Sequence, residues 1–536
     1  MDFIWTNLRI PVEEGENVRP QTIAHKLKIP PEAVAGVRII RRSLDARKKP
    51  DLYFVYSLQF SLNLRERELR RLLIRVPEIR EVPVPEPILP FNPTEKLSHR
   101  PVVVGTGPAG YFAALALAEA GYRPLVLERG DSVERRSEKV RELWTEGRLD
   151  PECNVQFGEG GAGTFSDGKL TTRIHDRRIN RVLEVFVQNG APEEIRFLAK
   201  PHVGTDILKG VVRRLREEII GLGGEVLFRS RFSGLHLANG RVQGIMINDR
   251  EEIPAEAVIL AVGHSARDVY RFLYEEGLTL EPKAFAVGLR AEHPQRLINL
   301  MQYGREEYPL LGPADYQLTF QDTATGRGAY AFCMCPGGKV VAAASEMGGV
   351  VTNGMSEYRR DTGRANSAIV VTVGSEDFAS AHPLAGIEFQ RHWEKEAFLQ
   401  AGGDYRAPAQ RLVDFLQRRV SDSFELASSY EPGVVSCDLH KVLPQDVGQV
   451  LERAFLAFEA KMPGFIGALA TLTGVETRTS SPVRIVRDER GEALNLSGLY
   501  PAGEGAGYAG GIMSAAVDGL RAAERVQARF KPAEMV

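Results

Sequence analysis

The chain has 536 residues, a formal net charge of −2 and 43% hydrophobic residues. This length predicts about two to four globular domains, and the near-neutral charge argues against a nucleic-acid or membrane-surface protein. Four cysteines are too few for a disulfide framework and fit a reducing compartment. The N-terminus has no basic region before an apolar core, and no apolar run approaches the ~20 residues of a membrane helix. We therefore expect a cytoplasmic protein without a signal peptide.

Residues 1–82 predict a small α+β module. Strands are expected at 3–10, 37–40 and 52–62, and helices at 20–27 and 64–76. Between the strands lies a basic cluster of Arg41, Arg42, Arg47, Lys48 and Lys49. The cluster is interpreted as a solvated loop or as a docking surface for an acidic protein partner or cofactor. Residues 83–100 begin in a proline-rich run and predict a semi-rigid linker.

Residues 101–130 carry the clearest motif of the chain. Val102–Val104 is short and β-branched, which predicts a buried strand. Residues 105–110, GTGPAG, match G-x-G-x-x-G, and the Ala- and Leu-rich residues 111–120 predict a helix. A second apolar run then ends at Glu128. The order of strand, glycine turn, helix, strand and acid predicts a dinucleotide site rather than a structural glycine turn.

Each part of this motif has a mechanical reason. Gly105 permits a tight turn, Gly107 lets the backbone approach a pyrophosphate, and Gly110 lets the helix pack closely on the strand. The helix N-terminus offers unpaired N–H groups and a partial positive charge to phosphates. Glu128 follows Gly110 by 18 residues, where its carboxylate can accept hydrogen bonds from both ribose hydroxyls.

Residues 157–169, FGEGGAGTFSDGK, predict a loop whose backbone presses against a flat ligand, because so many glycines cannot form a stable helix or strand. The alternative is a flexible surface loop, which Phe157 and Phe165 disfavour. Residues 226–248, with Asn239-Gly240 as a hairpin turn, predict a β-meander. An apolar strand at 257–262 returns to the sheet and ends in a glycine turn. Residues 498–513 predict a strand and a second glycine-rich helix entry.

Residues 281–435 predict an antiparallel sheet that forms a substrate domain, with helices near 389–400 and 409–419. One predicted strand contains Cys333 and Cys335, which face the same side of the strand. A disulfide between them would be strained, and no second cysteine pair completes a zinc site. The thiols are therefore expected to be buried small hydrophobes. Residues 436–536 are expected to return to the nucleotide fold.

Three separated segments, at 105–128, 261–265 and 500–513, resemble FAD-dependent oxidoreductases with the glutathione-reductase type of FAD fold. GGAGTFSDGKL at 160–170, KPHVGTD at 200–206, CMCPGG at 333–338 and ETRTSSP at 476–482 resemble a bacterial family of FAD-dependent dehydrogenases with an extra N-terminal domain. The resemblance implies an α/β fold. It combines a Rossmann-like FAD-binding domain with a parallel sheet at 101–280 and 436–536, an antiparallel-sheet substrate domain and a small N-terminal α+β domain.

The resemblance also implies roles for particular residues. Glu128 would bind the adenosine ribose, Glu504 would lie near the ribityl and pyrophosphate region, and residues 510–513 would face the pyrimidine edge of the flavin. The turn at 261–265 reads AVGHS where many relatives have A-T-G, so the role of His264 is open. The expected FAD-binding residues are Gly105, Gly107, Pro108, Ala109, Gly110, Glu128, Arg129, Gly161, Gly163, Thr164, Phe165, Ser166, Asp167, Phe232, Val262, Gly263, Gly503, Glu504, Gly510, Gly511, Ile512 and Met513.

The candidate catalytic residues are Lys169, His202, Arg478 and Ser480. Lys169 or Arg478 could stabilise an anionic flavin or substrate, and His202 could move a proton near neutral pH. Alternatively, each of these residues stabilises the conformation of its loop and has no catalytic role. No metal site is expected.

The predicted function is an FAD-dependent oxidoreductase that transfers hydride between flavin and a small-molecule substrate. Only one complete G-x-G-x-x-G with its acid is present, so a second domain for NAD(P)H is not expected. The flavin would be reduced by the substrate or by a transiently docking NAD(P)H. The alternatives are an NAD-dependent dehydrogenase, which the helix entry at 498–513 disfavours, and a flavin-binding sensor or scaffold without turnover.

Overall fold

The computed structural model describes residues 1–15, 18–83 and 91–533. Most of the proline-rich start of the predicted linker, residues 84–90, lies outside the described residues. In chain order the strands are β1 (Asp2–Pro11), β2 (Val34–Asp45), β3 (Tyr53–Leu62), β4 (Ile79–Glu81), β5 (Glu95–Lys96), β6 (Val102–Val104), β7 (Leu125–Leu127), β8 (Glu225–Leu227), β9 (Phe232–Ala238), β10 (Arg241–Ile247), β11 (Glu251–Pro254), β12 (Val258–Leu260), β13 (Leu280–Pro282), β14 (Phe285–Pro294), β15 (Thr319–Gln321), β16 (Gly328–Cys335), β17 (Lys339–Ala342), β18 (Thr352–Met355), β19 (Arg364–Val373), β20 (Ala407–Arg411), β21 (Val434–Ser436), β22 (Thr471–Glu476), β23 (Val483–Ile485), β24 (Leu499–Pro501) and β25 (Phe530–Lys531).

The α-helices are α1 (Pro20–Leu27), α2 (Glu66–Arg75), α3 (Pro108–Glu119), α4 (Val133–Glu146), α5 (Arg178–Gln188), α6 (Thr205–Gly221), α7 (Arg267–Glu275), α8 (Gln295–Tyr303), α9 (Ala385–Gln400), α10 (Leu412–Leu416), α11 (Gln445–Lys461) and α12 (Ile512–Arg529). Over the described ranges, none of them combines the length and apolar character that crossing a bilayer requires.

The first sheet belongs to the N-terminal module and has the order β2-β3-β1-β4. Buried and half-buried residues alternate along β3, which is the pattern of a strand with one face on a core. Arg41 and Arg42 lie in β2 and not in a loop, which corrects the sequence prediction. The reason is that β2 pairs with β3 beyond these residues, as far as Asp45. The backbone of Arg42 also bonds Phe197 and Ala199, so this edge strand docks on the rest of the chain.

The second sheet is parallel throughout, with the order β24-β12-β6-β7-β8. Its central strands are completely apolar and buried, because helices including α3 and α12 pack on one face and β9, β10 and α7 pack on the other. The strands β6, β12 and β24 are neighbours although they are far apart in sequence. Their carboxyl ends therefore meet at one edge, where the loops after 104, 260 and 501 converge.

A three-stranded meander, β11-β10-β9, follows this sheet. Asn239 and Gly240 join β9 to β10 with φ values of 52° and 69°, which is the left-handed conformation that this tight turn requires. Residues 226 and 227, expected in the meander, instead lie in β8 of the parallel sheet. They follow α6, and the connection from α6 returns the chain to that sheet.

The largest sheet has the order β15-β16-β19-β14-β22-β20-β21 and is antiparallel except for the pair β20 and β21. The predicted boundary at residue 435 falls inside it, because β22 pairs with β14 and β20. The helix expected at 409–419 is also wrong in part. Residues 407–411 form β20, and only the short helix α10 follows. Pairing with β22 overrides the weak local helix preference there.

Helix α12 packs tightly on α3 through Gly519. A Cβ atom at this position would lie 2.0 Å from the carbonyl oxygen of Ala109. We expect Gly519→Ala to destabilise the protein by about 1–3 kcal/mol, because the two helices must separate to admit the methyl group. Gly221→Ala is the matched control, since a Cβ there meets nothing within 4 Å. Thermal unfolding should show a lower midpoint only for Gly519→Ala, and equal midpoints would contradict this packing.

Candidate functional site

A cleft of about 1280 Å³ lies between the carboxyl edge of the parallel sheet and the largest sheet. Gly107, Glu128 and Gly511 line one side, and Tyr330 and Cys333 of β16 line the other. Pockets for one small ligand usually measure ~300–1,000 Å³. The cleft is therefore large enough for an extended cofactor and a second molecule.

The glycine turn after β6 is built by close backbone contacts. Gly105 has a φ of 99°, and a Cβ there would lie 2.3 Å from the carbonyl oxygen of Ala261. A Cβ at Gly110 would lie 1.8 Å from the carbonyl oxygen of Gly105. Only glycine fits both positions, so α3 begins directly against β6 and β12. The N-terminus of α3, at Pro108 and Ala109, lines the cleft.

Glu128 is 4% exposed and connects the two glycine-rich segments. Its Oε2 accepts hydrogen bonds from the backbone N–H of Thr106 at 3.1 Å and from Thr106 Oγ1 at 2.6 Å. Its Oε1 accepts from the N–H groups of Gly130 at 2.9 Å and Gly158 at 3.0 Å. The carboxylate thus organises the loops around it, and its contact with a ribose stays a prediction.

The second glycine-rich segment is held from behind by Arg136 of α4, whose side chain is completely buried. The guanidinium donates to the carbonyl oxygens of Asn154, Val155, Gly158, Glu159 and Gly161. Burial lowers the pKa of Arg136 to about 10, which leaves it charged at neutral pH. Phe157 and Phe165 are also buried, so this segment is an ordered wall of the cleft and not a flexible surface loop.

The N-terminus of α12 lines the same side of the cleft as Gly107 and Glu128, and we call this side the cofactor side. A Cβ at Gly510 or Gly511 would meet no atom within 4 Å, so the backbone there is open to the cleft. Beside it, burial raises the pKa of Glu504 to about 7, and the charge of Lys283 opposes that rise. The Nζ of Lys283 donates to Ser480 Oγ at 2.7 Å. A carboxyl group that titrates near neutrality and an amine thus lie together at this helix end.

Arg478 reaches the cleft from the segment after β22 and is held by Glu394 of α9. Its Nε and Nη2 donate to the two oxygens of Glu394 at 3.0 and 2.8 Å. Arg267, at the start of α7, donates to the same two oxygens at 3.0 and 2.8 Å. Burial and the charges of Arg478 and Arg267 lower the pKa of His264 to about 3, so its imidazole is neutral at physiological pH.

Lys169 and Arg360 form a second charged cluster in the cleft, with Asp167 between them. The Lys169 Nζ lies 2.9 Å from Asp167 Oδ2, and Arg360 Nε donates to Asp167 Oδ1 at 3.0 Å. Although burial acts to raise it, the charges of Lys169 and Arg360 lower the pKa of Asp167 to about 2. The cluster carries two cations and one anion.

Of the expected FAD-binding residues, those that line the cleft are Gly105, Gly107, Pro108, Ala109, Glu128, Arg129, Gly161, Gly163, Ser166, Asp167, Phe232, Val262, Gly263, Glu504, Gly510, Gly511 and Ile512. The other five, Gly110, Thr164, Phe165, Gly503 and Met513, lie behind its wall. For example, the Thr164 carbonyl accepts from Thr205 Oγ1, and the Gly503 N–H donates to Asp518. They shape the cleft without lining it.

The four catalytic candidates divide in the same way. Lys169 and Arg478 line the cleft, whereas His202 and Ser480 do not. The Nε2 of His202 bonds the Tyr358 carbonyl at 3.0 Å, and the two rings stack with their centroids 5.4 Å apart. Ser480 accepts the hydrogen bond from Lys283. The structure therefore gives both residues supporting contacts.

Among the described residues, no side chain caps the N-terminus of α6. Gly204 is the N-cap of α6 and has no side chain to offer. Thr205 Oγ1 donates to the Thr164 carbonyl, and Asp206 Oδ1 accepts from the backbone N–H of Tyr358. Both side chains are used to hold neighbouring segments.

Sequence reasoning missed several cleft residues: Lys283, Tyr330, Phe332, Arg360 and Glu476. Tyr330 and Phe332 alternate on β16, so their spacing could have placed both on the face that lines the cleft. Arg360 and Lys283 carry no local signal, because only the folded chain brings them to the site. Elsewhere, the part of the chain that is described contains no group of three His, Cys, Asp or Glu residues arranged for a metal ion.

Comparisons with known proteins agree with this geometry. Residues 284–479 match the family described as FAD-dependent protein, C-terminal domain-like, and residues 3–61 match a domain of unknown function. A protein of Clostridium beijerinckii, described as uncharacterized, is 49% identical over 533 residues, which are 98% of each chain. The chain therefore belongs to the same family as this protein, and its residues 284–479 match the C-terminal domain of FAD-dependent proteins.

The chain also aligns with two solved structures over most of its length. A geranylgeranyl bacteriochlorophyll reductase-like protein of Thermoplasma acidophilum is 14% identical, over 80% of this chain and 78% of that chain, with a TM-score of 0.33. CtdE in complex with FAD is 11% identical, over 81% and 83% of the two chains, with a TM-score of 0.30. At these low scores, neither likeness says which reaction the protein catalyses.

The residues of the cleft fit FAD. At Gly107 a Cβ would approach only Gly161, at 3.8 Å, and at Gly510 and Gly511 it would approach nothing. These three positions leave room for a ligand to touch the backbone. The N-termini of α3 and α12 both line the cleft and favour negatively charged ligand groups.

The shared carboxylate of Glu394 gives a stability prediction. Glu394→Gln should destabilise the protein by about 3–5 kcal/mol, because it removes the paired anion of the buried Arg478 and leaves the buried Arg267 with only the partly exposed Glu346. Glu66→Gln is the control, since its ion pair with Arg70 is exposed and is expected to contribute less than about 1 kcal/mol. Denaturant unfolding followed by circular dichroism measures both. Similar losses for the two variants would contradict the role of Glu394.

Glu504 gives a pH prediction for the protein freed of cofactor. An acid whose folded pKa is raised destabilises the fold once it must ionise, so stability is lost as pH rises from about 4.5 to about 7. Glu504→Gln should therefore gain stability over the parent protein across this window, with a plateau above it. The gain should be on the order of 1–2 kcal/mol, reduced by solvent in the cleft. A difference that is independent of pH would contradict the raised pKa.

Proposed function

We propose that the protein is an FAD-dependent oxidoreductase that transfers hydride between bound FAD and a small-molecule substrate. The observation that carries this proposal is that one continuous cleft joins two helix N-termini and a glycine cradle to a wall of aromatic and charged side chains. FAD, when bound, supplies a group that accepts or donates a hydride. The protein residues bind and orient the cofactor and the substrate.

Gly107 and Ala109 at the start of α3 would hold the pyrophosphate. Glu128 would orient the ribose, directly or through Thr106. Gly510 and Gly511 would hold the far end of the cofactor, where the N-terminus of α12 favours negative charge. The buried Arg136 keeps the second glycine-rich segment against the cofactor and excludes water from that side.

Beside the N-terminus of α12, Glu504 is suited to hold or release a proton near neutral pH, because burial raises its pKa to about 7. His264 is neutral and can orient a polar group without adding charge. Arg478 presents a fixed positive charge whose position Glu394 sets. Tyr330 and Phe332 offer apolar surface to the body of the substrate. This set suits a substrate that is partly apolar and carries at least one polar group.

We also propose that NAD(P)H, if it is the electron donor, docks transiently. One complete dinucleotide motif is present in the sequence, and its cleft is assigned to FAD. The four cysteines are all free thiols, which supports a reducing compartment such as the cytoplasm. An NAD-dependent dehydrogenase is disfavoured because the N-terminus of α12 lines the same cleft as the glycine turn.

Spectroscopy of the purified protein tests the proposal. The holoprotein should absorb at about 450 nm, the band of the isoalloxazine ring. Under anaerobic conditions, this band should bleach with one member of a metabolite panel or with NADH or NADPH. A colourless protein that binds NADH would contradict the assignment of FAD. A flavin that no donor reduces would favour the sensor or scaffold alternative.

Substitution of Gly510 tests where the cofactor lies. Gly510→Asp places a carboxylate at the N-terminus of α12, so we expect the dissociation constant of FAD to rise at least tenfold through repulsion and lost space. Gly510→Ala is the matched control and should bind FAD within about threefold of the parent protein, because a Cβ there meets no protein atom. Titration of the cofactor-free protein, followed by flavin fluorescence, measures both. Equal affinities would place the cofactor elsewhere.

A further inference from the structure

The cleft contains a thiol that the proposed hydride transfer does not use. Cys333 is half-buried and lines the cleft, which corrects the prediction that both cysteines of β16 are buried small hydrophobes. Cys335 is completely buried, as expected. The difference arises from a bulge in β16, where the register with β19 shifts between Phe332 and Cys335. Cys333 has a φ of 46°, and the bulge turns it away from the regular face of the strand.

Charged groups surround this thiol. Lys169 and Arg360 share the single carboxylate of Asp167, which leaves one positive charge without a matching anion in that cluster. The Lys169 Nζ lies 3.9 Å from Cys335 Sγ, so the cluster is adjacent to the bulge.

An ion pair, Arg290 with Glu476, also lies near Cys333. Arg290 donates to the Cys333 carbonyl at 3.0 Å and pairs with Glu476, so this pair is neutral. The groups around Cys333 therefore sum to one excess positive charge, which an anion at the thiol would balance.

The pKa values of the four cysteine thiols, all of which lie in the described residues, also set Cys333 apart. A hydrogen bond with the Cys335 thiol and the charges of Lys169 and Arg290 outweigh burial and lower the pKa of Cys333 to about 5. Burial raises the pKa of Cys153 and of Cys437. The hydrogen bond with Cys333, together with burial, raises that of Cys335. A partly exposed cysteine in an electropositive pocket is the usual setting of a reactive thiol.

We propose that Cys333 is a nucleophilic thiolate at which small disulfides bearing a carboxylate attach covalently to the enzyme. The Cys333 sulfur attacks one sulfur of R–S–S–R, a protein–S–S–R bond forms, the S–S bond of the ligand breaks, and R–S⁻ leaves. The disulfide is the oxidant, so no further reagent is required. This site goes beyond the proposed function and does not depend on which substrate the flavin serves.

The same charges select the ligand. Once the thiolate has become part of a mixed disulfide, the excess positive charge of Lys169 and Arg360 is again unmatched. A carboxylate on the attached half can pair with it, because both cations line the cleft. Phe332, next to Cys333, and Tyr330 line the same wall, so an aromatic ring on the ligand has apolar surface to pack on. The attached group would occupy the substrate side of the cleft.

The experiment uses the holoprotein and two chromogenic disulfides, the anionic dithiobis(nitrobenzoate) and the neutral dithiodipyridine. We expect one rapid equivalent of released thiolate, with a rate constant that changes less than about threefold between about pH 6 and about pH 8. An ordinary thiol of pKa ~8.5 would slow by roughly 75-fold over this range. Mass spectrometry should place the mixed disulfide on Cys333.

Variants make the test specific. Cys333→Ser should abolish the rapid equivalent, whereas the control Cys437→Ser should retain it. Lys169→Met should raise the thiol pKa by about one unit, from about 5 to about 6, which roughly halves the thiolate fraction at about pH 6 and slows the neutral disulfide about twofold. The anionic disulfide should slow more than the neutral one, because it also loses the attraction of the lysine charge. Unfolding midpoints and the flavin band verify that each variant is folded and loaded.

Three results would overturn the proposal. They are a rapid equivalent that survives Cys333→Ser, a rate at Cys333 that follows an ordinary thiol pKa, and no reaction of the folded holoprotein. Loss of the flavin band or failure of flavin reduction would instead count against the proposed hydride transfer. The two proposals can therefore fail separately.

Discussion

The buried carboxylate of Glu394 is the interaction on which the site depends most. It lies on α9 and receives both Arg267, from the nucleotide-binding side, and Arg478, from the segment after β22. Burying three charged groups is costly unless each is paired in good geometry, so the three elements must keep their relative positions. The two walls of the cleft are thereby held at a defined separation. The position of Arg478, and the neutral state of His264 beside it, follow from this constraint.

On the cofactor side of the cleft, buried charged residues likewise fix the positions of the surrounding segments. Arg136 satisfies three carbonyl groups of a glycine-rich segment that has few side chains of its own to pack, and two more carbonyl groups just before that segment. Glu128 satisfies three backbone N–H groups from three different segments. Glycine gives the backbone access to a flat ligand, but it provides no packing to keep the loops in place. The buried Arg136 and Glu128 supply that rigidity, and their hydrogen bonds compensate for the cost of burying them.

Local patterns were sufficient wherever a structure is specified within a few residues. The strand, glycine turn and helix at 102–119 follow from sterics and propensity, and so does the turn at Asn239 and Gly240. The prediction of a helix at 409–419 failed because pairing of β20 with β22, sixty residues away, decides that segment. The substrate-domain boundary at 435 failed for the same reason. Cys333 was misplaced because a bulge in β16 does not show in the alternation of residue types.

The sequence by itself determined that this chain carries a dinucleotide-binding fold, because glycine spacing, strand composition and a terminal acid act within one βαβ unit. Only the tertiary structure decided which charged side chains meet in the cleft. Lys283, Arg360 and Glu394 come from separate segments with no local signal, and their roles arise from pairing at a few ångströms after the sheets have assembled. His202 is the opposite case: its residue type suggested proton transfer, but in the structure its imidazole bonds the Tyr358 carbonyl and supports a loop. Chemistry in this protein therefore depends on long-range packing, whereas the fold that presents it is already evident in short stretches of sequence.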